Sequence, residues 1–188
     1  MVYHSRWNGY EEGVLLGCGL FPIKVTCQAA AVGPAPRMDP LANDDGNAED
    51  KEDVLDEALF YFKSNMLFKT YTIKGSGDRL LLYLTMFMNN CLKRIVGLNR
   101  AQAKATLLSY ASDSVTAPTD PSFQFSSFFP AAKSNEEVDQ WKEYVKQLRM
   151  EISSRLLRLV FQFPEADGTG SKFWMIFGKS TFLSSSDK

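Results

Sequence analysis

The chain has 188 residues, of which 45% are hydrophobic and 13% aromatic, and its formal net charge is −1. A chain of that length is most simply one domain able to bury roughly 70% of the surface its unfolded form exposes, and the apolar content excludes a disordered chain. The near-neutral balance excludes a bulk field for nucleic acid or an anionic membrane.

Residues 1–37 carry glycines at 9, 13, 17, 19 and 33 and prolines at 22, 34 and 36, and read as an extended arm. Leu16–Val25 is expected to cross a helical core and bury Leu20, Phe21 and Ile23, with Pro22 preventing a helix. Glu11 and Glu12 stand where a signal peptide needs positive charge. Met38–Asp53 is rich in Asp, Glu, Asn and Gly, and reads as a mobile acidic loop.

A first helix is expected from Asp53 to about Thr70, because Val54, Leu55, Ala58, Leu59, Phe62 and Met66 fall at helical spacings. A second runs from Asp78 to Gly97. Asp78 is expected to cap its start, and Gly97 after Lys93 and Arg94 to end it. Leu80, Leu81, Leu82, Tyr83, Leu84, Met86, Phe87 and Met88 cover its whole circumference, so other elements should surround it. It is too short to span a bilayer, which needs about 20 apolar residues. Gly75-Ser76-Gly77 before it lacks the spacing of a phosphate-binding loop.

Asn99 to about Ala111 is a weaker third helix with an Asn cap. Ser112–Lys133 is broken by Pro118, Pro121 and Pro130, yet holds Phe123, Phe125, Phe128 and Phe129, which must dock on this domain or on a partner. Ser134-Asn135-Glu136-Glu137 is a capping box opening a long helix to about Phe161. Its stripe is Val138, Trp141, Val145, Leu148, Ile152, Leu156 and Leu159, and its opposite surface carries Lys142, Lys146, Arg149, Arg155 and Arg158. After Pro164, Phe173–Phe177 forms an apolar strip, read as strand-like across the helices or as a hook into another protein.

The fold class is therefore all-α: a single domain of about five helices with one central helix enclosed by the others. It divides into an extended N-terminal arm and acidic loop (1–52), a helical core (53–161) and a C-terminal strip and tail (162–188).

Chemistry is sparse. His4 is the one histidine and sits in the arm, where a local structural role is expected. No G-x-S-x-G, H-E-x-x-H or Walker pattern occurs, and the carboxylates concentrate in 39–57, where water reaches them. Cys18, Cys27 and Cys91 are odd in number and lack a C-x-x-C pair, so reduced thiols in a cytoplasmic compartment are expected. The aromatic residues lack the interleaved cations of a nucleic-acid groove. No catalytic residue, cofactor site or metal site is assigned. What remains is a helical interaction domain whose candidate partner residues are Lys142, Lys146 and Arg149 on the long helix and Phe173, Trp174 and Phe177 in the strip. Two other readings share the composition: a stand-alone helical adaptor of another assembly, and a small carrier or enzyme with a cavity lined by Met66, Met86 and Met88, although methionines at helical spacing usually fill cores.

DEALFYFKSNMLFKTYTIKGSGDRLLLYLTMFMNNCLKRI, Asp56–Ile95, resembles subunit three of the actin-related protein 2/3 complex. The same order of features continues in Tyr3-His4-Ser5, Phe21-Pro22-Ile23-Lys24, Gly33-Pro34-Ala35-Pro36-Arg37, Tyr144–Arg149 and Lys172-Phe173-Trp174. The acidic stretch looks longer than the family's, residues 99–130 diverge in detail, and the tail after Phe177 is less basic. The resemblance implies an all-helical, non-catalytic subunit of an assembly that nucleates branched actin filaments. The implied partners are the other subunits, chiefly the larger actin-related protein, and the actin filament, with no nucleic acid and no membrane insertion. The implied location is the cytoplasm and its branched actin networks.

Overall fold

The computed structural model describes residues 3–10, 12–38 and 52–183. Most of the acidic segment expected over 38–53, and the tail after Leu183, lie outside them.

The single domain is built around one helix. Helix α1 covers Val54–Asn65, α2 Ser76–Ile95, α3 Arg100–Ser112, α4 Asn135–Val160 and α5 Lys172–Met175. The arm adds one small hairpin, β1 Val14–Leu15 antiparallel to β2 Cys18–Gly19. Helix α2 packs against α1, α3, α4, β2, the short turn Arg6–Gly9 and the turn Ile176–Lys179. Leu80, Leu81, Leu82, Leu84, Phe87 and Met88 are completely buried, as expected of a helix apolar on nearly every side. Gly97 ends it with φ +76°, the left-handed conformation in which a side chain would be strained.

Its start differs from expectation. Gly75 occupies the cap and the helix opens at Ser76, two residues before Asp78. The glycines admit the arm: a Cβ on Gly77 would lie 2.5 Å from Ser5 Oγ. Asp78, three residues in, turns its carboxylate to the arm and to the Lys74 N–H. Helix α1 likewise stops at Asn65 and not near Thr70. The N–H groups of Leu67 and Phe68 bond back only three residues, and the Asn65 side chain is engaged by the Tyr3 backbone.

Helix α4 has the predicted limits, and its 26 residues span roughly 39 Å. Ser134 Oγ accepts the Glu137 N–H at 3.1 Å. The Glu137 carboxylate, however, accepts from Lys133 and Leu16, so the box closes one residue early and ties the hairpin to the helix. The Phe-rich loop covers its own core: Phe125 is buried, and Phe123 packs in edge-to-face contact with Trp141 and Phe129.

The arm crosses the core as its apolar residues suggested, with Phe21 and Ile23 fully buried and Leu20 half-buried. Leu16 and Gly17 form the two-residue hairpin turn at φ +47° and +77°. The strip at Phe173–Phe177 is not strand-like. It forms α5 followed by the turn Ile176–Lys179, because a spacing of three puts Trp174 and Phe177 inward and Phe173 and Ile176 outward.

Candidate interaction surface

Helix α4 does not present a uniform basic face. Lys146 and Arg158 are exposed, and Lys142 reaches Asp139 at 3.5 Å in an exposed i,i+3 pair of small energetic weight. Arg149 and Arg155 point into the protein. Arg149 Nε donates to the Tyr83 hydroxyl at 2.7 Å, and its guanidinium lies 5.2 Å from the Phe87 ring centroid, a buried cation over aromatic faces. Of the three basic candidates, then, Lys142 and Lys146 face outward and Arg149 is spent within the fold.

Arg155 organises a buried ionic cluster. Its guanidinium meets both oxygens of Asp53 at 2.7 and 2.8 Å, Asp56 at 2.8 Å, Glu151 at 2.8 Å and the Lys24 carbonyl at 2.5 Å. Planar, permanently charged guanidinium is suited to such forked bonding. Asp53 also caps α1. Glu151 accepts from the Thr26 and Cys27 N–H groups and the Thr26 hydroxyl, so one cluster fastens α1, α4 and the arm. Desolvation opposes ionisation of Glu151, but the bonds from Thr26, Arg155 and Cys27 outweigh it and hold the carboxyl below its ordinary value. Asp56 is likewise held low, against desolvation, by Lys24 and Arg155.

A second anchor holds the first residues. Asp78, fully buried, accepts from the Ser5 N–H at 2.8 Å and Asn8 Nδ2 at 2.9 Å, with His4 Nδ1 at 2.7 Å. Burial opposes its charge, yet these donors and the Lys74 N–H keep its pKa below the ordinary value. Buried Glu57 on α1 accepts from the Ser5 hydroxyl at 2.6 Å and the Arg6 N–H at 2.7 Å. His4 is thus a structural ligand of Asp78. Met66 and Met88 are buried in the continuous core, with Met86 packed against it, which is the core-filling role.

The C-terminal strip has two faces. The rings of Trp174 and Phe177 lie 5.9 and 5.6 Å from Phe62, and Lys63 Nζ sits 4.2 Å above Trp174. Asn89 reaches across from α2 to the carbonyls of Phe177 and Ser180. On the outer face, Phe173 is 68% and Ile176 61% exposed. They border an open groove of about 640 Å³ that Met175 also lines. Of the three candidates in the strip, Phe173 is therefore available to a partner, while Trp174 and Phe177 mainly seat it. Among the described residues, no group of three His, Cys, Asp or Glu could hold a metal ion, and no helix is long and apolar enough to cross a membrane.

The signals missed at first lay in the stripe itself. Arg149 is four residues after Val145 and three before Ile152, and Arg155 is three after Ile152, so both fall on the buried side. A charge at a core position demands a buried partner.

Comparison with known proteins finds relatives along nearly the whole chain. A family model described as "ARP2/3 complex ARPC3 (21 kDa) subunit" matches residues 1–186. Proteins named actin-related protein 2/3 complex subunit 3 from Arabidopsis thaliana and Dictyostelium discoideum are 34% and 33% identical to it, each over 97% of this chain and 97% or 98% of their own length. The protein of that name from Schizosaccharomyces pombe is 33% identical over 97% of both chains.

Proposed function

The chain belongs to the family of the 21 kDa subunit of the ARP2/3 complex, a structural subunit and not an enzyme, and from that premise we propose that it supports nucleation of branched actin filaments by holding the larger actin-related protein and touching the mother filament. The observation that carries this reading is the match of 34% identity over 97% of both chains.

The domain acts as a rigid spacer. Its central helix is spent on cohesion, and the buried ionic clusters fix the arm to the helices, so a partner meets a surface with little left to order. The outward groups are Phe173 beside Ile176, and Lys142 with Lys146. Nucleotide chemistry belongs to other subunits, and the protein works in the cytoplasm within branched actin networks.

In cell extract, the native protein is expected to elute from a sizing column together with the other subunits, well above its own 21.2 kDa. Elution wholly as a free monomer would overturn the proposal. A mass-spectrometric list of co-purifying proteins identifies which assembly it joins.

A further inference from the structure

We propose that the groove between the end of α1 and the C-terminal strip receives an acidic segment of a partner protein, anchored by at least one large apolar side chain. The inference rests on the reading that the chain works inside an assembly, and it names the chemistry of one contact.

The groove has an apolar wall and a basic rim. Phe173, Met175 and Ile176 line it, and Lys63, Lys172 and Lys179 stand around it, with no carboxylate among the described residues of its lining. None of these lysines forms an ion pair with a described residue: Lys63 lies over Trp174, and Lys172 Nζ lies 5.6 Å from the Phe173 ring. One turn before Lys63 on α1, Phe60 is also left in water. A monomer gains nothing by leaving Phe173 and Ile176 in water at the groove, so an apolar partner group is the natural occupant.

Charge decides what kind of partner. Three cations line one concavity, and burial already works against the charged form of Lys63, so an anionic complement offsets that cost and matches the sign of the rim. A second copy pairing through the same patch would bring lysine onto lysine, which opposes an isologous dimer. A bilayer surface is flat and would leave the concavity unfilled. An acidic segment with an aromatic or branched aliphatic anchor satisfies the rim and the wall together.

The test uses the full chain in its cellular assembly, with p-benzoylphenylalanine in place of exposed Phe173. After purification through another subunit and irradiation, the crosslinked peptide is sequenced. The expected product is a partner peptide of net negative charge holding a large apolar residue at or beside the crosslink. Lys172→Glu with Lys179→Glu should lower the yield about tenfold, and Lys172→Arg with Lys179→Arg should preserve it. Lys63 is left intact because it supports Trp174. A crosslink to lipid, to a second copy, or to a neutral or basic peptide overturns the inference, as does no crosslink from a chain that co-purifies with the other subunits. A chain that does not co-purify overturns the reading of an assembled subunit, and this inference with it.

Discussion

Arg155 and Asp53 face each other fork to fork, 2.7 Å from Nη1 to Oδ1 and 2.8 Å from Nη2 to Oδ2, and neither side chain is more than 2% exposed. Because Asp53 is at the same time the cap of α1, the pair joins the start of one helix to the last turns of another, 102 residues away.

Removing one member of this pair should be much worse than trimming a surface charge. Arg155→Ala leaves Asp53 and Glu151 ionised without their cation, and a loss of about 3–5 kcal/mol is expected. Urea unfolding followed by circular dichroism should show the midpoint fall with an unchanged slope. Arg155→Lys keeps the charge but not the fork, and should fall between wild type and Ala.

Acid should weaken the protein through the same carboxylates. Glu151, Asp56 and Asp78 are all held below their ordinary values. A depressed folded-state pKa gives stability that is present above the unfolded value and lost as pH falls through the folded one. Stability should therefore be level above about pH 5 and decline progressively below about pH 4.5. In Arg155→Met, Glu151 loses a supporting bond and its folded-state pKa moves toward the unfolded one, so less stability remains to be lost and the decline below about pH 4.5 should be shallower in the same titration.

Asp78→Asn should release the arm before it unfolds the core. The substitution removes the charge that His4, Ser5, Asn8 and Lys74 all address, and a cost of about 2–4 kcal/mol is expected from charge-assisted bonds. Amide exchange should rise first at Ser5 and at the arm residues beside it. Uniform acceleration throughout α2 would contradict a local anchor.

Gly17→Ala should destabilise the hairpin by about 1–3 kcal/mol. The position has φ +77°, and the added carbon would stand 2.8 Å from Pro130 Cδ. Thermal unfolding measures the loss, and Gly9→Ala, where nothing lies within 4 Å, serves as the control.

Partner contact and folding should separate on the strip. Phe173→Ser and Ile176→Ser alter exposed side chains and should change stability by about 0.5 kcal/mol or less, while reducing co-purification with the other subunits. Trp174→Ala removes the ring stacked on Phe62 and should lower both. On α4, Lys142→Glu with Lys146→Glu tests the basic candidates at little cost in stability, whereas Arg149→Met should act through the core. Unchanged co-purification in the Lys142/Lys146 pair and in the Phe173 and Ile176 variants would remove both surfaces as partner sites.

The helices were legible because each announces itself locally: apolar residues repeat at three and four, Asn99 and Ser134 cap, and Gly97 stops. What sequence reading missed was long-range and polar. Asp78 looks like a cap until the arm claims its carboxylate from 70 residues or more away. Arg149 and Arg155 look solvated when charge alone is counted, although their spacing puts them on the stripe. The strip showed no period because five consecutive apolar residues match helix and strand alike. In the candidate surface, sequence marked Lys142, Lys146 and the strip Phe173–Phe177 but not Lys63 or Lys179, since the groove joins segments more than 100 residues apart.

The arm is translated before the residues that hold it. Phe21 relies on the Tyr144 hydroxyl, Ala35 on Gln147 and Thr26 on Glu151, at separations of 123, 112 and 125 residues. A chain leaving the ribosome therefore carries Phe21 and Ile23 uncovered until α4 has emerged, and the contacts that close last are those of highest sequence separation. Nascent chains halted before residue 134 should be cleaved readily within the arm, and completed chains should resist; equal resistance in both would show that the arm settles without α4. For this protein, the interval of greatest exposure to aggregation is set by the time taken to synthesise its longest helix.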